Sequence, residues 1–352
     1  MGELADATLL AAVAVGSVRC ASAMVGASWP RRSPAAAILL WQALGLAGGL
    51  AAVGALVAVG VNNEGTGVAG GVLIVVRRLA TGELTSHREP PLVTLGQITC
   101  LAAGVTLLAM LWWVLLMAFA AVVQARRRQR ELLALLAHGD PKAPGALVVD
   151  HPTAAAYCLP GIRSRIVVSV GTLDLLAPAE LAAVLAHERA HLRARHDLVL
   201  IPFTSLRRAF PRSRVIAQSY RTVALLVEMM ADDHALRALP ARELQTAREL
   251  MPARELAKAL LRFGVAGTSC APEGALTVTG AAASGSGRAG SGWLSGAASP
   301  GGSPPRGTEG EITARVSRLL EPPPPLPRFV QAGIVIGAAL LVTGVVLLLV
   351  MP

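Results

Sequence analysis

Long uncharged apolar runs dominate the pattern of this chain, and they outlast anything a soluble helix or strand requires. Residues 98–123 carry no charge and are followed by Arg126, Arg127, Arg128 and Arg130. Residues 35–61 are equally uncharged and are preceded by Arg31 and Arg32, while residues 329–351 form a third run directly after Arg328. A bilayer core needs about 20 apolar residues per helix, so each of these predicts a transmembrane helix. A fourth is predicted over about residues 4–25, where Asp6 and Arg19 blur the ends and Arg19 can snorkel to an interface. The chain starts Met1-Gly2-Glu3-Leu4 with no basic residue ahead of this run, so it reads as a span and not as a cleaved leader. The stretch from Gly67 to Val76 is too short to span and reads as part of a loop.

Between the third and fourth spans the periodicity changes. Glu131 to His138 continues the third helix beyond the membrane until Gly139-Asp140-Pro141 stops it. Ala146 to Val149 and Arg165 to Val170 are β-rich, and Pro152, Pro160 and Gly161 between them read as a connection. Pro178 and Glu180 open a helix running to about Asp197, because proline and acid both suit a helix N-terminus. Further helices are expected from about Ser219 to Leu239 and from Ala241 to Phe263, the latter broken or kinked at Pro252. Residues 264–310 are rich in Gly, Ser, Ala and Pro and read as a disordered linker. A short helix over Glu311 to Leu320 and a proline run lead to the last span.

Composition supports this outline. Of 352 residues, 53% are hydrophobic and only 15% charged, too apolar for an ordinary soluble domain. The expected organisation is therefore three spans within 1–124, a folded domain over 125–263, the linker 264–310, a lead-in over 311–328 and a fourth span over 329–352. Short cytoplasmic loops retain basic residues, which places Arg31–Arg32 and the arginine cluster after the third span inside, with both termini outside. The net charge of +10 does not point to nucleic acid, because the arginines flank apolar spans without aromatic residues between them; anionic lipid headgroups are the better partner. Cys20, Cys100, Cys158 and Cys270 are far apart and make no CxxC, which excludes a disulfide framework and a cysteine zinc site. The second, third and fourth spans hold no ionisable side chain, which argues against a transporter.

Ala186-His187-Glu188-Arg189-Ala190-His191 carries the chemistry. Histidines four apart on a helix share a face and can hold one Zn²⁺, and Glu188 can act as general base toward a water that the zinc acidifies. HExxH fixes only three positions and arises by chance, so its weight rests on the helix around it. A catalytic zinc takes a third protein ligand. Asp197 could serve only if the helix broke without a glycine, since Ala194 stands where a metzincin has Gly. Glu228 in Glu228-Met229-Met230-Ala231-Asp232 is the better choice, with Asp232 one turn on accepting from a ligating histidine's other N–H. Asp233 reads as a solvated neighbour. His196 and His234 stand between interior packing and support of the site, and Tyr220, His234 and nearby arginines are unranked candidates for stabilising an oxyanion.

With these motifs the chain resembles gluzincin peptidases, and more closely peptidase family M56, the integral-membrane peptidases of the BlaR/MecR antibiotic-sensor type. The supporting residues are Ala155-Ala156-Tyr157-Cys158-Leu159-Pro160, Ile166-Val167-Val168-Ser169-Val170-Gly171-Thr172, Leu175-Leu176-Ala177-Pro178-Ala179-Glu180 and Trp29-Pro30-Arg31-Arg32-Ser33. The resemblance implies a mainly α, multi-pass plasma-membrane protein with a cytoplasmic-facing zinc peptidase domain of helices plus a small sheet. It also implies His187, His191 and Glu228 as ligands, Glu188 as base, and a protein substrate of the cytoplasmic-repressor type. The chain closes at Pro352 after the fourth span, so the penicillin-binding sensor domain of the receptor members is not expected. Peptidase family M48, membrane-bound quality-control and processing proteases, is a related resemblance; the order of three spans, protease and final span favours M56. A non-catalytic zinc-binding membrane scaffold is the reading from another class, and the intact Glu188 argues against it, because a structural zinc needs no base.

Overall fold

A computed structural model describes residues 2–61, 67–81, 91–161, 164–238, 251–266, 276–277 and 306–350. The chain is mainly helical with one small mixed sheet. It divides into two compact units, Met1–Leu116 with Phe203–Val223 and Pro325–Pro352, and Met117–Pro202 with Ala224–Pro324.

The first unit is built on α1 (Gly2–Gly26), α2 (Pro34–Gly60), α3 (Gly67–Thr81) and α11 (Arg328–Val350), joined there by the start of α4 (Pro91–Leu136). Helices α1, α2, α11 and the candidate span Leu92–Leu136 are long and apolar enough to cross a bilayer, which suggests a membrane protein. In hydrocarbon no hydrophobic force draws helices together, so close approach at small residues has to do it. Ala47, Ala51 and Ala58 of α2 are fully buried, and a Cβ on Gly48 would stand 3.0 Å from the Ser17 Cβ of α1. The stretch Gly67 to Val76, expected as part of a loop, lies in the helix Gly67–Thr81: too short to span, it instead folds onto α2 and α11 with Val68 buried. Helix α4 has 46 residues and is therefore about 69 Å long, more than twice the thickness of the bilayer core. Its charged last turns belong to the second unit.

That second unit carries a five-stranded sheet in the order β1 (Ala137–Gly139), β2 (Leu147–Val149), β4 (Arg165–Ser169), β3 (Ala156–Leu159), β5 (Leu276–Thr277). Strands β2 and β4 run parallel and the other pairs antiparallel. The two β-rich stretches of the sequence are β2 and β4. Strand β3 lies where a plain connection was expected; all four of its residues are buried, so it lacks the alternation that marks a half-exposed strand. The tail of α4 was expected to stay helical to His138, but Ala137–Gly139 leaves the helix to pair with the free edge of β2. Residues 276–277 of the expected linker pair with β3, and the linker's ends join α9 (Met251–Val265) and α10 (Arg306–Leu320); its remaining residues, 267–275 and 278–305, lie outside the described residues, as do 241–250 of the expected 241–263 helix and Leu239 at the end of the one before it.

Helix α6 (Pro178–Ala194) packs on β3, β4 and α9. Ser169 ends β4 and caps α5 (Val170–Leu175), its hydroxyl accepting from the Thr172 N–H at 3.2 Å and from the Ala155 N–H at 2.8 Å. This ties the start of β3 to the approach to α6. Pro178 then sits in the first turn, and Glu180 accepts from the Ala177 N–H at 2.8 Å, satisfying a donor that the helix leaves orphaned. Val184 of α6 packs with Val148 and Val168 of the sheet and Leu256 and Leu260 of α9 in one core. α6 stops earlier than predicted because Arg195 turns left-handed, at φ 50°, and α7 (His196–Ala209) starts at once. That helix was not legible: it has no glycine at its entrance and holds Pro202 inside.

Candidate active site

The i, i+4 spacing on α6 brings the His187 and His191 rings together, centroids 4.7 Å apart, with their Nε2 atoms separated by 3.0 Å. Helix α8 (Arg214–Ala238) supplies Glu228, whose Oε2 lies 3.3 Å from His187 Nε2 and whose Oε1 lies 3.5 Å from His191 Nε2. Among the described residues these three form the group whose ligand atoms, all within 4.8 Å of one another, could hold a metal ion. All three are buried, as is Glu228's neighbour one turn on, Asp232. Asp232 Oδ1 stands 2.9 Å from His187 Nδ1, although the ring N–H does not point straight along the contact. On the other histidine, Nδ1 of His191 meets Nδ1 of His196 at 3.0 Å. The left-handed turn at Arg195 makes that contact possible by folding the chain back at the end of α6.

Asp197 is not part of the cluster; it is buried and pairs with Arg126 of α4 at 3.0 Å. Asp233, expected in solvent, is half-buried and held by two nitrogens of Arg318, at 2.6 and 2.8 Å. Tyr220 lies under the Arg207 guanidinium, 5.2 Å from its ring centroid. The His234 ring is 6.3 Å from that of His196. A cavity of about 250 Å³ opens beside α6 and α8, lined by Ala186, Ala190, Arg193, Ala194, His234 and Ala238, and none of the clustered ligand atoms lines it.

Two groups at the site were not anticipated. Arg315 of α10 is 1% exposed and reaches Glu228 Oε2 at 3.1 Å and Asp232 at 2.6 and 2.9 Å. Its signal was present in the sequence: Ile312, Arg315, Val316 and Leu319 share one helical stripe, so a charge sits on an otherwise apolar face. Cys158 of β3 neighbours Glu188, and burial together with that carboxylate pushes its thiol well up.

Electrostatics separate the two glutamates. Burial pushes Glu188 up to about 8, with Glu228 adding to the effect while His187 and Arg315 oppose it. The neighbouring Cys158 thiol is a weak donor that also opposes the shift, and neither oxygen makes a stronger hydrogen bond among the described residues. Burial also disfavours the ionised form of Glu228, but His191 and Arg315 outweigh it and hold the carboxyl far below the usual range. Burial likewise opposes ionisation of Asp232, yet Arg315 and His187 bring it down to about 2. Burial keeps His191 low and His196, at about 3, neutral, whereas for His187 the contacts to Asp232 and Glu228 overcome burial and raise it to about 9.

The donor set fits a divalent zinc. Two imidazole nitrogens and a carboxylate are the ligands that a catalytic zinc takes. The raised His187 also shows that the side chains by themselves favour positive charge between Nε2 and the Glu228 oxygens. The ion-paired Glu228 and Glu188, which has only the Cys158 thiol as donor, thus divide into a group fit to hold a cation and a group left able to move a proton.

No curated protein and no solved structure matches this chain. A family model does: residues 122–249 match Peptidase family M48, and with the His187–His191–Glu228 cluster inside that match, the segment is a metallopeptidase domain.

Proposed function

We propose that this protein is a membrane-embedded zinc endopeptidase that cleaves a cytoplasmic or membrane-proximal protein, with its peptidase domain on the cytoplasmic side and both termini outside. The observation that carries the reading is Glu188, a fully buried carboxyl with only the Cys158 thiol as donor, raised to about 8 and next in sequence to one of three converging metal donors. His187, His191 and Glu228 would hold the zinc, which supplies Lewis-acid polarisation of a water and of the scissile carbonyl. Glu188 would take a proton from the attacking water and return it to the departing amine. Positive charge held in the cluster lowers the Glu188 value from about 8, so the carboxylate is available as base near neutral pH. Asp232 holds His187 Nδ1, which keeps Nε2 free to donate its lone pair. Because His187, Glu188 and His191 are wholly buried, a peptide reaches them only after the covering chain opens.

Two family readings fit this site. The match over residues 122–249 favours a processing or quality-control protease of the M48 kind. The order of apolar spans around the domain favours the M56 kind, in which the substrate is a transcriptional repressor. Membrane lipids are the other partner, through Arg127 and Arg128 at the end of the third span, and no nucleic acid is involved.

The test is zinc content and proteolysis of casein and candidate repressors by detergent-solubilised protein, wild type beside Glu188→Ala. About one zinc in each and cleavage by the wild type alone supports the reading. Equal cleavage by both proteins, or a wild type without zinc, overturns it.

A further inference from the structure

The Glu228 and Asp232 carboxylates of α8 are met by a guanidinium that does not belong to the segment matching the metallopeptidase family. Arg315 comes from α10, 83 residues beyond Asp232 and past the end of the 122–249 match. Its Nε and Nη2 hold the two Asp232 oxygens at 2.9 and 2.6 Å, and its Nη1 holds Glu228 Oε2 at 3.1 Å. The same Glu228 oxygen faces His187 Nε2, and the same Asp232 oxygen faces His187 Nδ1. One planar fork therefore sets the rotation of both carboxylates that touch His187. A lysine, a single point charge, cannot span the two.

The rest of α10 is fastened independently. Ile312 and Leu319 belong to the core shared with Leu256 and Leu260 of α9, and Arg318 grips Asp233. Arg315 is thus presented to the cluster by a helix whose docking does not depend on that one residue. Two buried carboxylates one turn apart repel, and without a fixed cation between them Glu228 would turn away from His191 or take up a proton.

We propose that Arg315 is a positioning residue of the metal centre, holding Glu228 and Asp232 in the array that the zinc requires. This rests on the zinc-peptidase reading. It has a consequence for chain organisation: the centre is complete only when the helix beyond the Gly/Ser-rich stretch is in place.

The test uses the full-length protein in detergent, stripped of metal and titrated with Co²⁺ against a competing chelator. Its variants are Arg315→Gln, Arg315→Lys and Arg318→Gln, with Leu260→Ala as a control that loosens the core shared by α6, α9 and α10 without touching the carboxylates. Arg315→Gln is expected to weaken Co²⁺ binding about 10- to 100-fold and to shift the Co²⁺ visible bands, the size usual for groups that orient metal ligands. Arg315→Lys should recover part of the affinity, and Arg318→Gln should leave the band shape unchanged. The proposal is overturned if Arg315→Gln retains wild-type affinity and bands. It is equally overturned if Arg318→Gln, or Leu260→Ala at a matched loss of unfolding midpoint, weakens the metal as much. A wild type that binds neither Co²⁺ nor Zn²⁺ sinks the peptidase reading along with it, whereas a wild type that binds and cleaves beside an unaffected Arg315→Gln sinks this inference alone.

Discussion

Replacing Glu188 by glutamine should make the metal-free protein more stable while abolishing its chemistry. The carboxyl is buried, has only the weak Cys158 thiol as donor among the described residues, and is pushed up by burial to about 8 from the ordinary 4.5. A carboxyl raised on folding binds its proton more tightly in the native state, so native stability falls as pH rises from 4.5 towards 8. The slope is about 1.4 kcal/mol per pH unit. At pH 7, about two and a half units above 4.5, the folded wild type is therefore destabilised by about 3 kcal/mol. Glutamine has nearly the same shape and does not ionise, so the variant is free of that cost.

The assay is denaturant unfolding of chelator-stripped protein at pH 5, 6, 7 and 8. The difference between Glu188→Gln and wild type should be small at pH 5 and widen with each step towards pH 8. With zinc restored, the variant should keep its metal and lose activity about 10²- to 10⁴-fold. A stability difference that stays flat with pH, or a variant less stable than wild type at pH 8, would refute the account of Glu188 as a buried, unsupported carboxyl.

Three further outcomes are expected. Asp232, depressed to about 2 from 3.8 despite its burial, contributes stability that is complete above pH 4 and lost as pH falls towards 2, about 2 kcal/mol in all; Asp232→Asn should remove that acid limb from a pH titration of unfolding. Arg195→Gly should leave the unfolding midpoint unchanged or raise it, by up to about 1 kcal/mol, because glycine takes φ 50° without the clash of a Cβ. Leu260→Ala, at a fully buried position of α9, should cost about 2–5 kcal/mol by denaturant unfolding without changing the Co²⁺ bands of folded protein.

The long apolar helices and the helix that carries His187 and His191 were legible because each rests on one strong local signal. Residues 98–123 and 329–351 fall within α4 and α11, and His187 and His191 share a face whatever else the chain does. Glu228 and Asp232 could be reached from helical spacing alone. Strand β3 could not, because a short strand buried on both faces has no period. Nor could α7, because its start depends on one arginine adopting a conformation that arginine rarely takes. Arg315 was overlooked for a different reason. Its helix was expected as a lead-in to the last span, and nothing local says that a charge in an apolar stripe will meet two carboxylates from 83 residues earlier.

The places where local rules fail lie close together. Glu188 is a buried carboxyl with only a thiol as donor, Arg195 a left-handed non-glycine, and Asp197 carries a buried oxygen that makes no hydrogen bond among the described residues. All three fall within residues 188–197, on α6 and the turn that follows it. Each costs stability, and the hydrophobic core of β2, β4, α6 and α9 beneath them holds the fold in spite of it. Sequences that fold well keep local preference and global structure in agreement, and departures concentrate where function demands them. On that reasoning the turn at Arg195 belongs to the site as much as the histidines do: relaxing it as Arg195→Gly should keep the fold while loosening the His196–His191 contact. That loosening should appear as weaker Co²⁺ binding in a variant whose unfolding midpoint has not fallen. A variant equal to wild type in both measurements would show the strained turn to be incidental to the metal centre.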